Sequence, residues 1–376
     1  MDEPLAARVR QVIADTGRTD RDFAESIGID NTKLSKSLTG KRKFSSLELA
    51  LIAEAGARTV DWLLSGAPSR DLHFARRADS IALGEIDEAG SRVVATISER
   101  FDALDQLGLS RPVPALPTPK KYAMYLDEAK SLAFRLTAMF EKPIGSYETP
   151  ALIEAVEQNL GINVVVTDLP SGCDGLSYND NDFRAVVLAT TDAPFRQRYT
   201  LAHEIAHVAF GDAKQIVIQE RLWSTKNLAE SRANAFAASF LAPKQEVLAE
   251  IAGQPIQDVF SHLVLHFQMS PDSMSWRLLN LGLIDQDEQA KFAKPSARRI
   301  ALSAGGGGEH AERAISSATT RPAWNLVQQY VDAYWRGETT IRPAAELLGW
   351  DVAYATSFFN GSGSEDELPS PTSQAG

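Results

Sequence analysis

Two histidines and a glutamate within five consecutive residues have the types and spacing needed to hold and use a metal ion. The chain reads H-E-I-A-H from His203 to His207, and no helix-breaking residue interrupts the stretch between Pro194 and Gly211. A helix places His203 and His207 one turn apart on one face, close enough to chelate one ion. Glu204 then projects about 100° away, where it can act as a base on water at the metal. This spacing is typical of zinc peptidases, and the alternative is an ordinary amphipathic helix face.

A catalytic zinc ion needs a third protein ligand, and the segment that follows offers one. The metzincin pattern would require glycine and histidine where this chain has Phe210 and Ala213. A predicted helix at residues 228–243 instead carries Glu230 in its first turn and Asn234 one turn later. We predict that Glu230 is the third ligand and that Asn234 orients a histidine. The alternative for Glu230 is an acid that only complements the helix dipole.

These two segments resemble the ImmA/IrrE family of bacterial metallopeptidases. They read R-Q-R-Y-T-L-A-H-E-I-A-H and E-S-R-A-N-A-F-A-A-S-F-L-A-P, and the resemblance extends over residues 147–243. It implies one zinc ion per chain, with Mn²⁺ as the alternative metal, held by His203, His207 and Glu230. It also implies that Glu204 is the general base and that the substrate is a protein, such as a helix-turn-helix repressor.

The chain departs from this family at one position and agrees with its fold elsewhere. Arg232 stands where many relatives carry a second acid, which leaves Glu230 as the only acid nearby. Two β-rich runs, at 162–169 and 184–190, precede the histidine motif and flank a polar loop that contains Cys173. They predict a small sheet with an edge strand against which an extended peptide can lie. We interpret Cys173 as an incidental thiol in that loop.

Composition is that of an ordinary globular protein with room for two or three domains. The 376 residues are 44% hydrophobic and 23% charged, with a single cysteine. One cysteine excludes an internal disulfide and favours a reducing cytoplasm. The absence of a long apolar run and of a signal peptide predicts a cytoplasmic protein without a membrane segment. A net charge of −11 argues against nucleic-acid binding by the whole chain, although it allows a local basic patch.

Such a patch occurs in residues 5–66, which have helix-turn-helix proportions. Phe23 is typical of the inward face of a first helix, Gly28 of the turn, and Asp30 of the cap of a second helix. The unit resembles the XRE (Cro/C1-type) helix-turn-helix family. It departs from that family at Asp20, where such domains often carry a glutamine that contacts phosphate.

The second helix of this unit and the loop after it are the predicted DNA contacts. The residues left on the outside of the helix are Asn31, Thr32, Lys33, Ser35 and Lys36. The resemblance implies that all of these except Ser35 face bases, and that Lys41, Arg42 and Lys43 hold phosphates. The stretch has five basic residues and no acid, as phosphate contacts require. The alternative is a helix-turn-helix that makes only protein contacts.

Between the two recognised parts, apolar residues recur at helical spacing from Ala75 to Leu107. A long helix there can pair two protomers into a homodimer on a palindromic operator, or it can pack on its own peptidase domain. The sequence leaves both open. The proline-rich segment 110–119 then predicts a semi-rigid linker and a domain boundary.

The residues after Pro243 are predicted to be mostly helical. His262 and His266 are one turn apart and either reach the zinc cleft or are core or surface histidines, the interpretation we favour. The glycine run at 305–308 predicts a flexible break. Residues 321–359 predict a last small helical unit, and the polar segment behind it predicts a disordered tail.

We therefore predict a mainly α fold with a small β-sheet, of the α+β class. The expected parts are a helix-turn-helix domain at 1–70, a helical connector and linker at 71–120, a zincin-like metallopeptidase domain with a helical extension at 121–300, a flexible linker at 301–320, a helical module at 321–360 and a disordered tail at 361–376. The expected function is a bacterial DNA-binding regulator that carries a zinc endopeptidase acting on a repressor-type protein, in a stress response or in mobile-element control. The alternatives are a transcription factor whose peptidase-like domain is a non-catalytic sensor, and an antitoxin-like interaction module.

Overall fold

The chain is mainly helical with one small sheet, which confirms the α+β prediction. The computed structural model describes residues 3–56, 63, 75–78, 83–122, 124–180, 182–212 and 223–361. The chain divides into two compact units, Met1–Asp71 and Leu72–Gly376. Apart from its first residue, the predicted tail at 361–376 lies outside the described residues. Among the described helices, none is both long enough and apolar enough to cross a membrane.

Within residues 3–56, the N-terminal unit has four helices around a small apolar core. They are α1 (Glu3–Asp15), α2 (Asp20–Ser26), α3 (Asn31–Leu38) and α4 (Ser46–Ala55). Thr19 and Asp30 cap α2 and α3, each accepting a hydrogen bond from a backbone amide in the first turn. Gly28 turns the chain between these helices at a φ of +68°, a conformation that favours glycine. The predicted order of helix, glycine turn and helix is therefore present.

The second unit is built on a four-stranded sheet in the described residues. The strands are β1 (Ala75–Ala78), β2 (Asn163–Thr167), β3 (Cys173–Asn179) and β4 (Arg184–Ala189), in the spatial order β1-β3-β4-β2. β3 is antiparallel to both β1 and β4, whereas β2 is parallel to β4. Two predictions were wrong here: β1 was expected to be helical, and β3 was expected to be a polar loop. Both strands are rich in polar, charged or glycine residues, so only their pairing partners stabilise them as strands.

Helices cover the sheet on both faces, because its strands alternate apolar side chains between the two sides. One face contributes Val164, Val166, Val186 and Leu188 to the larger core. That core also includes α6 (Tyr125–Thr137), α7 (Thr149–Leu160), α8 (Pro194–Phe210) and α9 (Trp223–Leu241). The other face contributes Val165, Leu176, Ala185 and Val187 to a second core.

The second core joins two distant segments of the chain. Its helices are α5 (Leu83–Gln106), α16 (Trp324–Trp335), α17 (Arg342–Leu348) and α18 (Val352–Phe359). Val94, Ile97 and Phe101 of α5 are buried against the sheet. Of the two alternatives for this helix, the structure therefore shows packing on its own domain.

The remaining helices extend the larger core. They are a 3₁₀ turn (Ile144–Ser146), α10 (Lys244–Ile251), α11 (Ile256–Phe267), α12 (Pro271–Asn280), α13 (Gln286–Phe292), α14 (Ala297–Ser303) and α15 (Gly307–Ser317). α14 and α15 occupy the predicted flexible linker at 301–320, so that prediction was wrong. Ser317 accepts hydrogen bonds at its carbonyl from Gln197 and from the amide of Thr191. These long-range contacts hold the segment in place.

Two further predicted boundaries are also absent. The segment 110–119 is extended, but it is bound to the second unit rather than separating domains: the Arg111 amide donates to Gln329, and Arg184 donates to the carbonyl of Pro114. Residues 321–360 belong to the same unit, because Arg321 exchanges two backbone hydrogen bonds with Val166 of β2. Composition indicated both boundaries, but it carries no information about contacts between distant segments.

Candidate metal centre

The helix that carries the H-E-I-A-H motif is buried along almost its whole length. α8 starts with Pro194 in its first turn and ends at Gly211, whose φ of 76° is left-handed. His203 and Glu204 have no exposed surface, and His207 is 2% exposed. A buried imidazole or carboxylate is costly unless it has a polar partner or an ion. The partners of these three side chains therefore indicate what the site does.

Two imidazole nitrogens and one carboxylate converge on a single point. His203 Nε2 lies 3.2 Å from His207 Nε2 and 3.3 Å from Glu230 Oε2. The distance from His207 Nε2 to Glu230 Oε1 is 3.5 Å. Glu230 comes from α9, which packs beside α8, and its side chain is the most exposed of the three at 32%. Access to the centre is therefore from the side of Glu230.

These separations match a tetrahedral zinc site. Ligands held at the usual zinc–nitrogen and zinc–oxygen distances lie about 3.3 Å apart. The three observed distances, 3.2, 3.3 and 3.5 Å, lie on either side of that value. The residues present therefore fit a zinc ion.

Each histidine has a partner on the far side of its ring. His203 Nδ1 lies 3.1 Å from the Asn234 side-chain oxygen, the interaction predicted for Asn234. His207 Nδ1 lies 3.5 Å from a carboxylate oxygen of Asp212. An acceptor at Nδ1 leaves the Nε2 lone pair free for a metal and fixes the ring orientation, as Asn234 does for His203. His207 Nδ1 makes no hydrogen bond, so Asp212 acts on this ring through its charge.

Asp212 is in turn held by Arg232, the residue that departs from the family pattern. The Arg232 guanidinium donates to both Asp212 oxygens, at 2.8 and 3.0 Å, and lies 4.1 Å from the centre of the Phe210 ring. Burial would raise the pKa of Asp212, but His207 and Arg232 keep it below its usual value. In this chain, Arg232 therefore holds the aspartate whose charge lies beside His207.

The Glu204 carboxylate is bound to β3. Its Oε2 accepts a hydrogen bond from Ser177 Oγ at 2.8 Å, whereas Oε1 is buried without a hydrogen-bond partner. Gly175 lets α8 pack closely against β3 here, since a Cβ at that position would lie 2.8 Å from Thr200 Cγ2. One carboxylate oxygen is thus fixed, and the other remains available to take a proton.

The charges of the centre are strongly coupled. Burial raises the pKa of Glu204, and the two nearby histidines only partly oppose this rise. Burial would lower the pKa of His207, but Asp212 and Glu230 raise it to about 10. Burial would also raise the pKa of Glu230, but hydrogen bonds from both histidines bring it far below its usual value. The carboxylates therefore stabilise positive charge at this point.

A buried arginine fixes the first half of α8. Arg198 has no exposed surface and donates to the carbonyls of Tyr147 and Ile144 at 2.9 and 2.8 Å. Burial lowers the pKa of Arg198 to about 10. These bonds join α8 to the 3₁₀ turn before α7, so they help to set the position of the two histidines further along the same helix.

Sequence reasoning found the ligand candidates but missed two residues that support them. His203, His207, Glu230 and Asn234 meet as described, and Glu230 lies about two turns inside α9, which begins at Trp223. The first-turn dipole role considered for Glu230 is therefore wrong. The two missed residues are Asp212 and Ser177. Asp212 could have been found from its position directly after Gly211, which ends the helix. Ser177 could not, because its segment was expected to be a loop.

The predicted DNA contacts lie at the surface of the N-terminal unit, with one exception. The exposed residues are Asn31, Thr32, Lys33, Ser35, Lys36, Lys41 and Lys43. Arg42 instead donates to both oxygens of the buried Glu48, at 2.7 and 2.8 Å, and to Ser37. Its predicted phosphate contact is therefore corrected to a structural role, because its guanidinium neutralises a carboxylate inside the unit.

Comparison with known families identifies the segment around the metal centre. Residues 157–279 match the model of the IrrE N-terminal-like domain, a peptidase family. This segment is therefore similar to that peptidase domain. It includes β2, β3, β4 and all four residues of the candidate centre, and the family implies a metal, usually zinc. No curated protein matches the chain. The helix-turn-helix resemblance of the N-terminal unit stays a prediction.

Proposed function

We propose that the second unit is a zinc-dependent endopeptidase and that the N-terminal unit binds DNA, so that the chain is a regulator that cleaves a repressor-type protein. The observation that carries the peptidase is the convergence of His203, His207 and Glu230 at the spacing of tetrahedral ligands, with Glu204 on the same helix. The IrrE N-terminal-like domain in this segment supports the same activity.

The four residues have separate tasks in peptide hydrolysis. The two histidines and Glu230 would hold a zinc ion, which would supply a Lewis acid for the carbonyl and lower the pKa of a bound water. Glu204 takes one proton from the attacking water at its free oxygen, while Ser177 holds the other oxygen. The water oxygen joins the carbonyl carbon and the C–N bond breaks. Glu204 then returns the proton to the leaving nitrogen.

New protein N-termini in cells test this function. Cells that express the wild type are compared by mass spectrometry with cells that express Glu204→Gln, both at rest and after DNA damage. A fragment that appears only with the wild type supports the peptidase and names its substrate. Identical N-termini in every condition, from a chain that still binds zinc, favour the alternative in which the domain is a sensor or an interaction module.

The substrate peptide pairs with the edge of β3, which is the edge that β1 occupies in this structure. β1 is antiparallel to β3, with Ala75 opposite Ser177 and Arg77 opposite Gly175. Ser177 binds Glu204, and Gly175 lets α8 pack closely against β3, so this edge runs past the general base. Extended peptides commonly bind by adding a strand to a sheet edge. β1 therefore competes with a substrate for the same backbone groups.

Proline substitutions in β1 are expected to open this edge. Neighbouring strand residues point their amides alternately toward and away from the partner, so Arg76→Pro with Arg77→Pro removes at least one donor to β3. A tethered strand has an effective concentration on the order of mM. We therefore expect a labelled peptide with the sequence of residues 72–82 to bind the proline variant at least about ten-fold more tightly, by fluorescence anisotropy.

Both chains in that experiment carry Glu204→Gln, so that the peptide is not consumed. The matched control, Arg76→Ala with Arg77→Ala, removes the same side chains but keeps the backbone amides. Its affinity for the peptide should equal that of the chain that carries Glu204→Gln alone. Equal affinity in the proline and alanine variants would show that β1 does not block the edge.

The DNA-binding part of the proposal rests on the exposed basic residues of the N-terminal unit. Lys33 and Lys36 lie on the outer side of α3, and Lys41 and Lys43 follow it, all of them exposed. None of these four lysines takes part in an ion pair among the described residues. Free lysines at the end of a recognition helix are suited to phosphate contacts.

Removing two of these lysines should reduce the salt dependence of DNA binding. Each phosphate contact contributes about 0.9 to the slope of log affinity against log salt, so Lys41→Ala with Lys43→Ala should lower the slope by about 1.8. Binding of an arbitrary 30-base-pair duplex, followed by anisotropy over a salt series, measures this slope. The exposed Glu25→Ala is the control and should leave it unchanged. A wild type without salt-dependent binding would favour the protein-contact alternative.

A further inference from the structure

A second cluster of metal-ligand side chains lies outside the candidate centre, on α10 and α11. Glu250 Oε2 is 2.7 Å from His262 Nε2, and Glu250 Oε1 is 3.7 Å from His266 Nε2. One ligand atom from each of the three residues lies within 4.8 Å of the others. His262 and His266 are therefore neither core residues nor part of the first centre, but share a carboxylate of the preceding helix.

From this geometry we infer that Glu250, His262 and His266 form a second, solvent-accessible site for a divalent transition-metal ion, for which Zn²⁺ is the natural occupant. Two imidazoles one helical turn apart can chelate one ion, and the carboxylate supplies the third ligand. The distances of 2.7 and 3.7 Å lie on either side of the spacing of about 3.3 Å for tetrahedral ligands. Small rotations of exposed side chains would equalise them.

The surroundings leave room for an ion and for a ligand from solvent. The two histidines line an open cavity of about 310 Å³, together with Gly145, Glu148 and Arg313. Gly145 lets the ring of His266 approach closely, since a Cβ at that position would lie 3.1 Å from His266 Nε2. A three-ligand site beside such a cavity keeps its fourth coordination position accessible.

The charges around the cluster also favour a cation. Glu246 lies one turn before Glu250 on α10, and its Oε2 is buried without a hydrogen-bond partner. Two carboxylates one turn apart repel each other. A divalent ion would offset this repulsion and join α10 to α11. Imidazole and carboxylate ligands suit Zn²⁺, whereas Ca²⁺ and Mg²⁺ prefer oxygen ligands alone.

The number of zinc ions per full-length chain tests this inference. Each variant is equilibrated with Zn²⁺ alone, in a buffer that holds free zinc near 1 μM, and its bound metal is counted by plasma mass spectrometry. We expect two ions in the wild type, one in His262→Ala with His266→Ala, and one in His203→Ala with His207→Ala. Competition against a zinc-binding dye in the last variant should show at least ten-fold weaker binding after Glu250→Gln is added.

The same experiment separates the two sites. Ser261→Ala, an exposed change on α11, is the matched control and should keep both ions. The second site is overturned if the wild type binds only one ion and the variant His262→Ala with His266→Ala still binds that ion. One ion that disappears with His262 and His266, but not with His203 and His207, supports the second site and contradicts the first. Circular dichroism of each variant confirms that the fold is intact.

Discussion

Replacing Glu204 with glutamine is expected to lower the rate of peptide cleavage by about 10²- to 10⁴-fold, the usual loss when a positioned general base is removed. Glutamine has the same shape and can keep a hydrogen bond to Ser177, but it cannot take a proton from water. The rate is measured with purified protein and the substrate fragment that the new N-termini identify. Bound zinc should be unchanged, since Glu204 is not among the three candidate ligands.

Two variants refine this result. Ser177→Ala frees the second carboxylate oxygen of Glu204 and should reduce the rate by less than Glu204→Gln, because the base is still present. Arg232→Lys weakens the bidentate contact with Asp212. It should lower the affinity of the site for zinc rather than change the proton transfer by Glu204. A Glu204→Gln protein that cleaves at the rate of the wild type would exclude Glu204 as the base.

Replacing Arg321 with alanine is expected to lower the free energy of unfolding of the second unit by about 3–5 kcal/mol, the usual cost of leaving one partner of a buried ion pair alone. Arg321 Nη2 lies 2.6 Å from Oε2 of Glu157, whose side chain is 2% exposed. A second guanidinium nitrogen donates to the carbonyl of Val164. These bonds attach the last helices to β2 and α7.

Urea unfolding followed by tryptophan fluorescence measures this loss, because five of the six tryptophans lie in the second unit and only Trp62 in the first. Arg299→Ala, an exposed substitution, is the control and should change stability by no more than about 0.5 kcal/mol. The double variant Glu157→Met with Arg321→Met should recover most of the loss, because well-packed apolar residues can replace a buried pair. Equal free energies of unfolding for the Arg321→Ala and Arg299→Ala variants would show that the ion pair does not stabilise the unit.

The ion pair also changes how the C-terminal part of the chain is understood. Residues 321–360 have the composition of a separate helical module, yet their helices form one face of the core over the sheet. A change there is therefore expected to act on the stability of the peptidase fold. The same holds for α5, which covers the same face of the sheet from the other end of the unit.

The sequence by itself determined the local features of this protein. A few consecutive residues were enough to predict each of three features: the spacing of His203 and His207, the position of Glu230 on the following helix, and the turn at Gly28. Helical periodicity and caps are short-range effects, so they also predict α2, α3 and α8 without knowledge of the rest of the chain. The class of the fold and the candidate ligands followed from these features.

Only the tertiary structure decided what joins distant segments. β1 and β3 are strands because partners pair with them, and the expected linkers at 110–119 and 301–320 are held by contacts with remote residues. Ser177 reaches Glu204 from β3, well before the histidine motif in the sequence. Such contacts depend on the three-dimensional path of the chain, which residue types and spacing along the sequence do not encode locally.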